Sequence, residues 1–202
     1  MAPIRLIAGL GNPGAQYQDT RHNVGADFVV ALAERYRIPL AEEAKFKGFL
    51  GRGSVAGHDV RLLVPTTYVN LSGDAVGAVA RFFKLAPEEI LVAYDEMAFE
   101  PGVVRIKSGG GDNGHNGIRS VIAGLGNSRD FQRLRIGVGH PGDRNRVTAY
   151  LTSVRMPEAE RRLMAEVYHL PESVLEQLLG GDLEKAMTDL HSRESPTLES
   201  GD

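Results

Sequence analysis

Apolar and polar positions switch between two rhythms along the chain. Ile4–Leu10 is a short apolar run broken by Gly11-Asn12-Pro13-Gly14, which predicts a buried strand and a turn. From Asn23 to Tyr36 the apolar residues Val24, Phe28, Leu32 and Tyr36 recur every fourth position, the signature of an amphipathic helix. Phe46–Val55 and His58–Val64 flank a turn at Gly57 and predict a hairpin. Leu71–Phe83 reads as a helix, Ile90–Tyr94 as an apolar strand, Val103–Lys107 and Leu134–Val138 as further strands, and Gly117–Ala123 as a short helix. Pro157–Tyr168 and Pro171–Leu179 read as helices with proline in the first turn. Strands alternate with helices, and no repeat or linker divides the chain, so the pattern predicts one layered α/β domain. Ser192–Asp202 is polar, contains Pro196 and Gly201, and reads as a frayed tail.

Composition narrows the function classes. The 202 residues include no cysteine, which excludes disulfides, thiolate metal sites and cysteine nucleophiles. No apolar run has the ~18 residues of a membrane span. The chain enters its first strand-like run almost at once, which leaves no room for a signal peptide. These features predict a cytoplasmic protein without a membrane partner. Net charge is −3, but unevenly spread. Residues 103–162 carry 11 basic and 5 acidic side chains, and residues 163–202 carry 2 basic and 9 acidic ones. The middle block suits a polyanion-facing surface, and equally a solvated face with partners elsewhere.

Candidate chemistry gathers at predicted strand ends. Gly9-Leu10-Gly11-Asn12-Pro13-Gly14 has the spacing of a dinucleotide loop, but Pro13 removes an amide and no helix is expected to open at Gly14. The turn is either a tight turn without function or one that presents Asn12 at the carboxyl edge of the sheet. His22 begins a helix and Asp95 follows the strand Ile90–Tyr94, so both face the edge where α/β sheets place their sites. A buried Asp beside a His orients the imidazole and raises its basicity, as general-base catalysis requires. No Gly-x-Ser-x-Gly elbow supplies a nucleophile, which leaves water. Asn70 stands at a strand-to-helix turn, either as a helix cap or as an amide for a substrate carbonyl. The loop Gly109–Gly117 reads as a lid or as an anion site at a helix N-terminus. His22, Asp95 and His115 lack the local spacing of a metal site, so no metal and no cofactor are expected.

Taken together, GLGNPG at 9–14, Tyr17, TRHNVG at 20–25, PTTYVNLSG at 65–73, Asp95-Glu96 and GHNG at 114–117 resemble the bacterial peptidyl-tRNA hydrolase family, in order and spacing over about 110 residues. The resemblance implies a catalytic domain over residues 1–191. Its fold would be a single three-layer α/β/α domain with a twisted mixed β-sheet flanked by helices. It implies a monomeric, metal-independent esterase that frees tRNA from prematurely dissociated peptidyl-tRNA, binding its acceptor stem and 3′ end. In that reading His22 is the water-activating base, Asp95 its orienting partner, and Asn12 and Asn70 hold peptide and water. Asn116 is a third amide, Tyr17 and Tyr68 line the pocket for the 3′ end, and Lys107 and Arg135 grip the 5′-phosphate. The chain departs from the family pattern at Tyr68, usually Phe, and at Val69, usually Met. It also lacks a second Asp near position 99, and it reads Gly-Asp-Asn-Gly before His115. The alternative from another class is an RNA-binding protein on the same scaffold that cleaves nothing, like the plant organelle intron-splicing relatives.

Overall fold

In the computed structural model, residues 2–198 are described. The elements in order are β1 (Leu6–Gly9), α1 (Val24–Arg35), β2 (Ala41–Glu43), β3 (Gly48–Val55), β4 (His58–Pro65), α2 (Ser72–Phe82), β5 (Ile90–Glu96), β6 (Val104–Ser108), α3 (Asn116–Gly124), β7 (Gln132–Gly137), α4 (Val147–Thr152), α5 (Glu158–Tyr168), α6 (Glu172–Leu179) and α7 (Leu183–His191). The strands form one sheet in the order β2-β3-β4-β1-β5-β7-β6. The centre is parallel, from β4 through β1 and β5 to β7, while β2, β3 and β6 pair antiparallel at the flanks.

Side-chain alternation along the strands builds two cores. Ile7, Leu62, Leu91 and Ala93 point to one face, where α1 and the C-terminal helices pack through Phe28, Leu32, Met164 and Leu178. Leu6, Ala8, Leu63 and Val92 point to the other, against Val76 and Val79 of α2 and Ile118 and Val121 of α3. The result is the three-layer mixed sheet that the resemblance implied. The chain leaves β1 toward β4 on one side and returns to β5 on the other, so the strand order reverses at β1. Ligands of open α/β sheets bind in the crevice at the carboxyl ends of strands around such a reversal.

Two close approaches fix the helices over that crevice. The N-terminus of α1 rests on β5 at Gly25, where a Cβ would lie 2.1 Å from the Ala93 carbonyl oxygen. Helices α2 and α3 cross at Gly73, where a Cβ would lie 1.8 Å from the Ser120 carbonyl oxygen. The Gly73 amide also donates to the Ser120 hydroxyl at 2.8 Å. Both sheet edges are blunted. Strand β2 is three residues long and carries Glu42 and Glu43. On β6 the Ile106 amide donates to His191 Nε2 of α7 at 3.0 Å.

The structure differs from the sequence reading in places. Asp95 lies within β5, not beyond it, because the β7 pairing continues through Glu96↔Gly137. Phe46 sits in a 3-10 turn ahead of β3. Pro157 and Pro171 occupy the N-cap positions of α5 and α6. Asn70 caps nothing: it lies inside the 3-10 turn Val69–Leu71, and Leu71 precedes α2. Strand β2 and helix α4 carry too few buried positions for a visible period, whereas α7 has one, Leu183, Ala186, Met187 and Leu190, that the sequence reading passed over. Of the stretch read as a tail, residues 192–198 are described, and the Pro196 carbonyl lies over Gly102. The remainder, from Glu199 onward, lies outside the described residues.

Gly73→Ala is expected to destabilise the fold by about 1–3 kcal/mol, the usual cost of overpacking, although alanine is the better helix former. Gly111→Ala, whose methyl would meet nothing within 4 Å, is expected to change stability by under about 0.5 kcal/mol. Urea denaturation of the two variants beside the wild type checks the contrast; equal midpoints would remove the close approach as a constraint.

Candidate active site

Asp95 is 3% exposed and sits near the end of β5, with no lysine or arginine paired to it among the described residues. Its two oxygens are divided between two imidazoles. His22 Nδ1 lies 2.8 Å from Oδ2 and His115 Nε2 lies 2.8 Å from Oδ1. His22 arrives from the 3-10 turn Arg21–Asn23 leading into α1, in one helical layer. His115 arrives from the N-terminus of α3, in the other.

The hydrogen bonds determine the tautomers. His115 Nδ1 accepts from the amides of Gly117 and Ile118 at 3.1 and 3.2 Å, so it carries no proton, and Nε2–H donates to Asp95. His115 is therefore the N-cap of α3. It also uses the amides that an anion at this helix N-terminus would need, which removes the anion-site reading of the glycine loop. His22 donates Nδ1–H to Asp95, and its Nε2 has no protein partner among the described residues. Burial lowers the His22 pKa, but the Asp95 charge and hydrogen bond outweigh it, and the net shift is upward. Burial raises the Asp95 pKa, yet the two histidines hold it well below the usual carboxylate range.

Asn12 is set by a reciprocal pair with Asn23: its amide donates to Asn23 Oδ1 at 2.8 Å, and Asn23 Nδ2 donates to its carbonyl at 2.9 Å. The loop amide that a dinucleotide phosphate would need is thereby spent. Asn12 Oδ1 accepts from the Val69 amide at 2.8 Å, so its NH₂ group is what remains for a ligand. Asn12, His22, Tyr68, Asn70, Asp95, His115 and Asn116 all line one cleft of about 420 Å³. Asn70 and Asn116 are exposed there, and no protein hydrogen bond engages either side-chain amide among the described residues. Tyr17 stands behind the rim, edge-on to Tyr68 at 6.1 Å. Met97, Val147 and Leu151 give the cleft an apolar wall.

Lys107 and Arg135 lie outside this cleft. Strands β6 and β7 are antiparallel neighbours with Arg105↔Arg135 and Lys107↔Arg133 in register, so all four cations share one face. Lys107 forms no ion pair among the described residues, whereas Arg135 lies 3.6 Å from Glu96 and over the Phe99 ring. Arg133 is 1% exposed, and its guanidinium donates to the Gly110 and Gly111 carbonyls. Sequence reasoning missed Arg133, the cap role of His115 and the α4 wall. For Arg133 the signal was the alternation Arg133-Leu134-Arg135 within an apolar strand.

The nearest donor atoms of His22, Asp95 and His115 lie within 4.8 Å of one another. A metal there would have to displace both imidazole–carboxylate hydrogen bonds, and His115 Nδ1 is committed to the helix cap.

A family model described as peptidyl-tRNA hydrolase matches residues 6–197. The peptidyl-tRNA hydrolase of Pectobacterium carotovorum is 50% identical over 192 residues, covering 95% of this chain and 98% of that protein. That of Sodalis glossinidius is 52% identical over 189 residues, covering 94% and 97%. The crystal structure of peptidyl-tRNA hydrolase from Acinetobacter baumannii superposes with a TM-score of 0.88 at 44% identity, covering 95% of this chain and 96% of that one.

A raised His22 pKa means that its stabilising pair is fully present below about pH 6.5 and fades as pH rises through the folded value. The depressed Asp95 pKa means that the same pair is lost as pH falls below the usual carboxylate range. Asp95→Asn should remove the raising influences and leave burial alone, so the His22 midpoint should fall below about 6.5. Side-chain NMR titration of wild type and variant reads this directly; an unmoved midpoint would detach Asp95 from His22.

Proposed function

The chain belongs to the peptidyl-tRNA hydrolase family and cleaves the ester between a peptide and tRNA, and from that premise we propose how its residues divide the work. His22 Nε2 takes a proton from water, and the hydroxide formed attacks the carbonyl carbon of the ester. Asp95 holds the imidazole through Nδ1 and stabilises the imidazolium. The Asn12 NH₂ group donates to the carbonyl oxygen as it becomes an oxyanion, a contact that strengthens toward the transition state. His22 then returns the proton to the departing 3′ ribose oxygen. One water is consumed, and a free peptide acid and a free tRNA 3′ end are released. Asn70 and Asn116 orient water and peptide, and Tyr68, backed by Tyr17, flanks the terminal nucleotide. The observation that carries the reading is the single open ring nitrogen of His22, facing a cleft lined by amides with free donors.

Lys107 and Arg135 hold the 5′-phosphate at a distance from the chemistry, with Arg135 exchanging its Glu96 contact for the substrate. The acceptor stem lies across the cationic face of β6 and β7. The enzyme acts without metal, as a monomer in the cytoplasm, on peptidyl-tRNA released prematurely from translation. No helix of the described residues is long and apolar enough to cross a membrane. No observation favours the RNA binder that does not cleave.

His22→Ala is expected to lose about 10²- to 10⁴-fold in kcat while still binding tRNA, and Asp95→Asn to lose less, because its imidazole remains. Release of tRNA from N-blocked aminoacyl-tRNA measures this, and wild type dialysed against a strong chelator should keep its turnover. The wild-type rate should rise with pH through a midpoint above about 6.5, as the raised His22 pKa requires. Near wild-type turnover in His22→Ala would refute the mechanism.

Lys107→Ala and Arg135→Ala should raise KM for full tRNA, spare kcat, and behave almost as wild type on a 3′-end mimic lacking the 5′-phosphate. Each should flatten the dependence of log K on log salt by ~0.7–0.9. Equal damage on both substrates would place the two cations in the catalytic centre instead.

A further inference from the structure

Arg133 is among the largest fully buried side chains of the protein, and it is a cation. No carboxylate pairs with it among the described residues. Its partners are main-chain carbonyls: Nη1 donates to Gly111, Nη2 to Gly110, with the Arg129 carbonyl at 3.5 Å. The guanidinium lies 4.4 Å over the Phe131 ring. A buried charge is expensive unless its hydrogen bonds are made, and apolar residues of similar volume often serve stability as well. Its two terminal nitrogens go to main-chain carbonyls of the glycine loop while Nε stays without a partner, so the arginine points to what those glycines do.

Gly109 and Gly110 adopt φ of 65° and 107°, so this stretch has little conformational preference of its own. It has no secondary structure to hold it, and it continues through Asp112, Asn113 and Gly114 into His115. His115 fills Asp95 Oδ1 and caps α3, while Asn113, Gly114 and Asn116 line the cleft. A second route runs through Tyr94, whose phenol feels the Arg133 charge and whose ring stands edge-on to His115 at 5.0 Å.

We propose that Arg133 is a positioning residue for ester hydrolysis: its guanidinium pins the Gly110–Gly111 backbone and so holds His115 and Asn116 where Asp95 and the substrate require them. Resting on the hydrolase reading above, it adds a residue that touches neither substrate nor reacting water. The planar fork is the reason for arginine, since two adjacent carbonyls accept from two nitrogens at a fixed separation, which a lysine ammonium does not reproduce. Full burial and the two carbonyl contacts separate Arg133 from Lys107 and Arg135, its neighbours on the same face.

The test uses Arg133→Met and Arg133→Lys in the full chain. Kinetics are measured on full N-blocked aminoacyl-tRNA and on the 3′-end mimic, with native-state hydrogen exchange of residues 109–117 alongside. Arg133→Met should lose about ten- to a hundredfold in kcat on both substrates, the scale of a small misplacement of catalytic groups, with an unchanged salt slope. Arg133→Lys should fall between it and wild type. Exchange should quicken in 109–117 and not in α1. Wild-type kcat in a folded variant overturns the proposal, as does a loss confined to full tRNA, which would make Arg133 a third phosphate contact. If Arg133→Met does not fold, Arg133→Lys decides: unchanged kcat and exchange reject the pin. A wild-type protein that releases no tRNA would fail the hydrolase reading instead, while the exchange comparison still reports on the loop.

Discussion

One buried carboxylate, with both oxygens answered by histidines from opposite helical layers, is the constraint on which the rest of the molecule converges. A lone Asp95 at the end of β5 would be costly. His22 and His115 satisfy it only if α1 and α3 both reach the end of the sheet. The glycine contacts make this reach feasible: Gly25 lets α1 settle on the Ala93 carbonyl, and Gly73 lets α2 and α3 close to backbone contact. Packing in both cores is thus tied to the placement of two ring nitrogens.

The two imidazoles perform different tasks because their second nitrogens meet different environments. That of His115 accepts from two helix amides and is committed to the cap. That of His22 faces the cleft. One aspartate thereby holds a helix-capping donor and an imidazole open to the cleft, and the second nitrogen decides which is which. A pair of equivalent histidines could not provide this asymmetry.

Much of this was legible in the residue pattern, and the rest was not for physical reasons. The periodicities placed β1, α1, the β3–β4 hairpin, α2, β5 and β7 to within a few residues, because each has a continuous buried face. His22, Asp95, Asn12 and Asn70 could be singled out because they stand at strand or helix ends, Asn116 came only from the family resemblance, and all five share one cleft. Helix α4 escaped notice because only Leu151 is buried along it. The cap role of His115 depends on the direction of a side chain, which no spacing encodes. Arg133 looked like one more cation in a basic block, since burial of an arginine against carbonyls leaves no compositional trace. Arg135 next to Glu96 is the counterpart: a residue chosen for its charge already has a partner within the protein.

The blunted sheet edges bear on what leaves the enzyme. The peptide half of the substrate is a chain able to extend, and extended chains join exposed strands through main-chain ladders. Here one rim is a three-residue strand bearing two glutamates, and on the other the Ile106 amide is taken by the His191 imidazole. A nascent fragment cut from its tRNA therefore finds only a short or interrupted ladder along either rim. Its affinity is confined to the few contacts of the cleft, which favours repeated turnover over retention of the severed product.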